Sequence, residues 1–209
     1  MSVTSAARCI VVLFIASSAT VALSAGFQSV TCGSVLKLIN PHYNVRLHSH
    51  DVKYGSGSAQ QSVTGVTQAD DINSYWVLKG AFSKQCPRGV PVKCGFTIRL
   101  QHLSTHLFLH SHHFASPLSN NQEVSCFGDA AGGSDSGDNW LVECSSEYWR
   151  RDESVRLKHV DTGLYLQASP QTYGRPINGQ REICAAGSKS AQNLWKTMEG
   201  VYMEPSKTL

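Results

Sequence analysis

Apolar and polar residues alternate in short runs that recur three times. The segment Gly33–Leu47 reads GSVLKLINPHYNVRL, Gly95–Leu109 reads GFTIRLQHLSTHLFL, and Glu153–Leu166 reads ESVRLKHVDTGLYL. Period-two alternation broken by Asn, Pro, Ser, Thr and Gly predicts a strand, a polar turn and a second short strand in each copy. Leu38, Leu100 and Leu157 mark the first strand and Leu47, Leu109 and Leu166 the second, with spacings of 62 and then 57 residues in both series. After a polar loop come QQSVTG at Gln60–Gly65, NQEVSC at Asn121–Cys126 and GQREIC at Gly179–Cys184. SYWVL, DNWLV and NLWKT follow, so Trp76, Trp140 and Trp195 close the units. Alternation is blurred over Val35–Ile39, which leaves the facing of that strand open. No sustained 3.6-residue stripe predicts a long helix.

One such repeat cannot bury an apolar face alone, but three can do so around a shared axis. Closing them removes exposed sheet edges and sends the leucines and tryptophans into one interior. The expected architecture is therefore all-β, a β-trefoil of three pseudo-symmetric repeats at 32–86, 94–144 and 148–203. A propeller is the competing arrangement, but three blades fall below the usual four.

The amino terminus has a basic residue, Arg8, then the apolar run Cys9–Ile15, then small residues up to Ser24, the order of a cleavable export signal over 1–24. A retained anchor is the alternative, and the run is short for a bilayer span. No later segment reaches membrane length, so no stable membrane insertion is expected. Loss of Arg8 lowers the formal net charge from +3 to +2. That balance, without a Lys/Arg stripe, excludes a nucleic-acid binder. Loss of Cys9 leaves six of the seven cysteines. Export favours their pairing, and their places in the repeats predict two clasps, Cys32 with Cys86 and Cys94 with Cys144. Cys126 and Cys184 fall at what read as equivalent positions of repeats two and three, either bridged across the axis or left as buried thiols.

Chemistry-bearing residues gather in RLHSHDVKYGSG (Arg46–Gly57) and FLHSHHFASPLS (Phe108–Ser119). Alternation places Arg46, His48 and His50 on one strand face, with Leu47 turned inward; Phe108, His110 and His112 repeat the pattern, and His113 extends it. Imidazoles in that arrangement suit a groove for a polar ligand or a peptide backbone, and equally suit hydrogen-bonded structural roles. Tyr54, Phe114 and Tyr173 are candidate rings of the outer loops, able to stack on a sugar or an apolar side chain. Gln61, Gln122 and Gln180 read as loop anchors. No metal site and no cofactor are expected, because alternate strand histidines do not converge and no carboxylate motif stands beside them. Asp70 with Asp71, and Asp135 with Asp138, read as solvated loop residues, not a hydrolytic pair. No nucleophile elbow, phosphate loop, CxxC or HExxH occurs, so no enzyme is expected.

The stretches Cys32–Val66, Cys94–Gly128, YWRRDESVRLKHVDTG, YGRPINGQ and NLWKTMEGVYMEPS together closely resemble the stromal cell-derived factor 2 family, over nearly the whole mature chain. The resemblance implies three MIR motifs on a β-trefoil and residence in the endoplasmic reticulum lumen. It also implies work as a co-chaperone or adaptor beside an Hsp40-type co-chaperone and the lumenal Hsp70, with non-native clients and a part in the unfolded protein response. Glycan binding of mannose type is the alternative. The terminal SKTL departs from the family's HDEL-like retrieval signal, which leaves lumenal retention through a partner, secretion or a variant terminus as expectations.

Overall fold

A computed structural model describes residues 28–129 and 133–206. The expected leader at 1–24 and the last three residues of the chain lie outside the described residues. Twelve strands form among those described, four per repeat. Repeat one supplies β1 (Val35–Asn40), β2 (Val45–Lys53), β3 (Gln61–Val66) and β4 (Trp76–Gly80). Repeat two supplies β5 (Thr97–His102), β6 (Phe108–Ala115), β7 (Gln122–Phe127) and β8 (Trp140–Glu143). Repeat three supplies β9 (Ser154–His159), β10 (Tyr165–Thr172), β11 (Arg181–Ala186) and β12 (Trp195–Val201).

All pairings are antiparallel. β1, β4, β5, β8, β9 and β12 each pair with two neighbours and close a six-stranded barrel. The hairpins β2–β3, β6–β7 and β10–β11 cap one end, and β3, β7 and β11 pair with one another as a triangle on the axis. This is a β-trefoil. Among the described residues no helix is long and apolar enough to cross a membrane.

The repeating leucines make the core: Leu38, Leu100, Leu157, Leu47, Leu109 and Leu166 are all fully buried, with Val63, Val124 and Ile183 behind them. The closing tryptophans are buried too, and a buried indole N–H needs an acceptor. Each finds the same one: Trp76 Nε1 donates to Leu47 O at 2.9 Å, Trp140 to Leu109 O at 2.9 Å and Trp195 to Leu166 O at 2.8 Å. The bond ties the last strand of a repeat to its own hairpin. The opposite end of the barrel is closed by a backbone ring that the repeat pattern did not announce. Val30 N donates to Trp149 O (2.8 Å), Trp149 N to Val92 O (2.8 Å) and Val92 N to Val30 O (2.9 Å).

The blurred alternation of β1 has a physical cause in Lys37. Its stem is buried, while Nζ donates to Ala69 O at 2.6 Å and lies 4.5 Å from the Tyr75 ring centre. Both clasps form: Cys32–Cys86 spans 54 residues and Cys94–Cys144 spans 50. By chain entropy each is worth about 4 kcal/mol against the unfolded state. Cys126 and Cys184 are free and buried. Their equivalence needs correction, since Cys126 lies opposite Leu109 whereas Cys184 lies opposite Gln167. Cys126 thus matches Gly65 and Ala185, and Cys184 matches Thr64 and Ser125.

Replacing Trp140 by Phe removes one indole donor and strands a buried carbonyl. We expect a loss of roughly 2 kcal/mol, read as a lower urea midpoint with unchanged slope in circular dichroism. An unaltered midpoint means that the indole bond does not hold the hairpin.

Candidate functional site

The polar side chains on the hairpin cap meet the short 3₁₀ turns that precede the closing tryptophans, Ile72–Ser74, Ser136–Asp138 and Ala191–Asn193. In repeat one His48 Nδ1 lies 2.8 Å from Asp71 Oδ2, which also accepts from the Ser74 hydroxyl at 2.5 Å. In repeat two His110 Nδ1 lies 2.9 Å from Asp138 Oδ1 and 3.6 Å from Asp135 Oδ1. Repeat three is neutral at these places, with Gln167, Ser190 and Asn193. The aspartates are therefore not simply solvated. Asp138 is fully buried and Asp135 caps the turn, whereas Asp70 does stand exposed.

His48 and His110 lie beneath the surface, and their neighbours carry the array outward. His48 Nε2 is 2.6 Å from His50 Nδ1, and burial, then the His48 charge, hold the His50 pKa below its ordinary value. His112 Nε2 lies 3.0 Å from the buried Glu123, whose carboxylate also accepts from the Ser58 backbone and hydroxyl. Phe114, 48% exposed, packs its ring 4.7 Å from that of His112, and His113 is exposed beside it. Arg46 is a buried clamp, donating to Thr67 O at 3.2 Å and pairing with Glu199 at 3.4 Å.

The outer-loop residues sort differently from the expected pairing of Phe114 with the two tyrosines. Backbone bonds Tyr54 N to Gln60 O, Ser116 N to Asn121 O and Tyr173 N to Gln180 O make Ser116, not Phe114, the partner of the two tyrosines. Tyr54 is buried, with its hydroxyl shared between Val63 O and Val124 O at 2.9 Å each, so it offers no ring for stacking. Tyr173 is half-buried, 6.2 Å from it. Gln180 shares a register with Gln60, and the true partner of Gln61 and Gln122 is Arg181.

His110, Asp135 and Asp138 are the one group of the described residues whose ligand atoms lie close enough to share an ion. Asp138 Oδ2 already accepts from Asp135 N and Asp135 Oδ1 from Gly137 N, so the group is built as a turn cap. Burial raises the Cys126 thiol to about 12 and the Cys184 thiol to about 11. Neither is a thiolate at neutral pH.

Sequence reasoning passed over Asn40, His102 and His159, although they stand at the same 62 and 57 spacing. His102 Nε2 bonds Asn73 O at 2.9 Å and Nδ1 bonds Thr105 Oγ1 at 2.8 Å. His159 repeats this with Gly137 O and Thr162, and Asn40 donates to Gln192 O. Each thus fastens one repeat to the turn of the repeat before it. Burial pushes the His102 pKa down to about 4 and lowers that of His159.

Apolar surface collects away from these polar groups. Phe82 of repeat one (50% exposed), Phe96 of repeat two (37%) and Val160 of repeat three (47%) are exposed apolar side chains on this side. Phe96 and Val160, with Ala81, Lys84 and Cys86, line a groove of about 670 Å³, and Phe82 N bonds Asn139 on its wall.

Comparison with known proteins agrees with this geometry. A family model described as the MIR domain matches residues 38–193. The chain is 57% identical over 180 residues to human stromal cell-derived factor 2, covering 86% of this chain and 85% of that one. The crystal structure of the SDF2-like protein from Arabidopsis thaliana superposes with a TM-score of 0.82 at 48% identity, covering 86% of this chain and 99% of that one. The structure of the S. cerevisiae protein O-mannosyltransferase Pmt1-Pmt2 complex bound to the sugar donor matches with a TM-score of 0.73 at 26% identity, covering 87% of this chain and 28% of that one.

His102 supplies a pH test. Its folded pKa of about 4 lies below the ordinary 6.5, so the unfolded chain takes the proton first as pH falls. Its contribution to stability is complete above about 6.5 and is lost as pH falls towards about 4. The urea midpoint should decline across that window, and His102→Asn, which copies Asn40, should flatten the slope. Equal slopes for variant and parent would refute the assignment.

Proposed function

The chain belongs to the stromal cell-derived factor 2 family of MIR-domain proteins, and from that premise we propose that it is a non-catalytic adaptor of the endoplasmic reticulum lumen. In this reading it acts with an Hsp40-type co-chaperone and the lumenal Hsp70, and holds non-native clients within their reach. The observation that carries the client-binding part is the groove beside the Cys32–Cys86 clasp, flanked by the exposed Phe82, Phe96 and Val160. A rigid, cross-linked floor under exposed apolar rings binds an extended apolar segment with little ordering cost of its own. Lys84 is the one charged residue lining the groove, which suits a segment that carries an acidic flank.

A second reading, a module for mannose-type glycans, has its own support in His112 and the exposed Phe114, which offer an imidazole beside an exposed ring.

The test of the first reading is crosslinking and co-precipitation from the lumen. The expected result is recovery of the Hsp40/Hsp70 pair, with Phe96→Ser plus Val160→Ser cutting client recovery about tenfold, the range of interface hot spots. Recovery of neither chaperone at native abundance ends the adaptor reading. A glycan-array signal lost in His112→Ala would favour the second.

A further inference from the structure

The three inter-repeat junctions beneath the cap are not alike, and the odd one has opened. At the first, Gln61 Nε2 donates to Thr105 Oγ1 at 3.0 Å and to Ser49 Oγ at 2.8 Å. At the second, Gln122 Nε2 donates to Thr162 Oγ1 at 2.9 Å and to Ser111 Oγ at 2.7 Å. At the third the same two positions hold Arg181 and Tyr43, with the guanidinium carbon 3.9 Å from the centre of the ring. Gly65 stands there in the register of Cys126 and Ala185, and a Cβ on it would come within 2.9 Å of Val45 Cγ2. The result is a cleft of about 300 Å³ between repeats one and three, lined among others by Thr67, Gln68 and Asn178.

Structure alone does not demand this arginine, because glutamine and threonine close the junction twice in the same molecule. Arg181 donates to Ser169 O at 2.9 Å, yet no carboxylate of the described residues lies within 4.0 Å of it, whereas Arg46 is paired with Glu199. It is the one charged residue lining the cleft. The segment that follows Val66 is fixed by two further side chains, Arg46 on Thr67 O and Lys37 on Ala69 O. A guanidinium held flat by an aromatic ring is suited to carboxylate or phosphate oxygens. The exposed Thr67, Gln68 and Asn178 offer hydroxyl and amide groups that both donate and accept, as hydroxyl-rich ligands require. The volume is at the small end for ligand sites, about one sugar ring.

We propose that the cleft between repeats one and three binds a hydroxylated ring bearing an oxyanion, a sugar acid or a sugar phosphate, through Arg181. This does not rest on the adaptor reading, and failure of chaperone capture leaves it untouched.

The test is a titration of the ¹⁵N-labelled protein with glucuronate, glucose 6-phosphate, glucose and inorganic phosphate at neutral pH. Glucuronate or glucose 6-phosphate should shift the amides of Gly65, Thr67 and Gly179 saturably, and the tighter of the two identifies the anion. Glucose and inorganic phosphate should each bind at least about tenfold more weakly. The double variant Arg181→Gln, Tyr43→Thr installs the pair that folds at the other junctions and should lose binding by at least about tenfold. The proposal is overturned if neither acidic sugar shifts these amides, if glucose or inorganic phosphate binds as tightly, or if the double variant keeps its affinity.

Discussion

Three indole hydrogen bonds, each from the residue that opens the closing strand of a repeat to a leucine carbonyl in the same repeat's second strand, hold the hairpin cap on the barrel. The indoles are fully buried, so these donors have no water to fall back on, and the bond length hardly varies from repeat to repeat. Around them the two leucine series, Leu38, Leu100 and Leu157 and then Leu47, Leu109 and Leu166, are fully buried in every repeat. At the far end the ring of Val30, Val92 and Trp149 closes the barrel through backbone alone. The identity of those side chains is consequently freer, which is how a tryptophan can stand in line with two valines.

With the interior committed, variation moves to positions that touch only one junction or one turn. The strand-to-turn contact is met by an imidazole and a carboxylate in repeat one and by an imidazole and two carboxylates in repeat two, whereas in repeat three Gln167 bonds the Cys184 sulfur and the turn's Asn193 accepts from Arg156. All three versions satisfy buried polar atoms. They differ in what they can exchange with the outside: repeats one and two carry the contact on to His50 and His112 near the surface, and repeat three does not.

How much of this was legible in sequence follows from what each signal measures. The 62 and 57 spacings located the core because apolar residues at one face of every strand are a requirement of burial, and the tryptophans fixed where each unit ends. Alternation grouped Arg46, His48 and His110 as polar face residues but could not say that both faces of the hairpins are covered at their roots, where all three are buried. The ladder irregularities between Ser49 and Lys53, Ser111 and Ala115, and Ala168 and Thr172 keep the 62 and 57 spacing, and the count slips only in the loops beyond them, which close Lys53 on Gln61, Ala115 on Gln122 and Thr172 on Arg181. Those unequal loops put Gln180 and Cys184 out of line with Gln61, Gln122 and Cys126, whereas Ser116, not Phe114, stands at the plain 62 and 57 spacing between Tyr54 and Tyr173. Asp71 and Asp138 sat in Gly/Ser-rich stretches that read as solvent-facing, and the short turns fold them inward. The groove beside the clasp and the Arg181 cleft were invisible because both are made at junctions between repeats.

Where the chain starts on such a ring is almost arbitrary. Thr31 Oγ1 donates to Met203 O at 2.7 Å and Met203 N donates to Ser34 Oγ at 3.0 Å, so the opening of repeat one and the tail of repeat three lie side by side. Among the described residues the parts follow a circular order, and repeats three and one meet again beside the floor ring. A splice there, with a cut moved to either of the other two repeat boundaries, would leave the same solid with a different reading order.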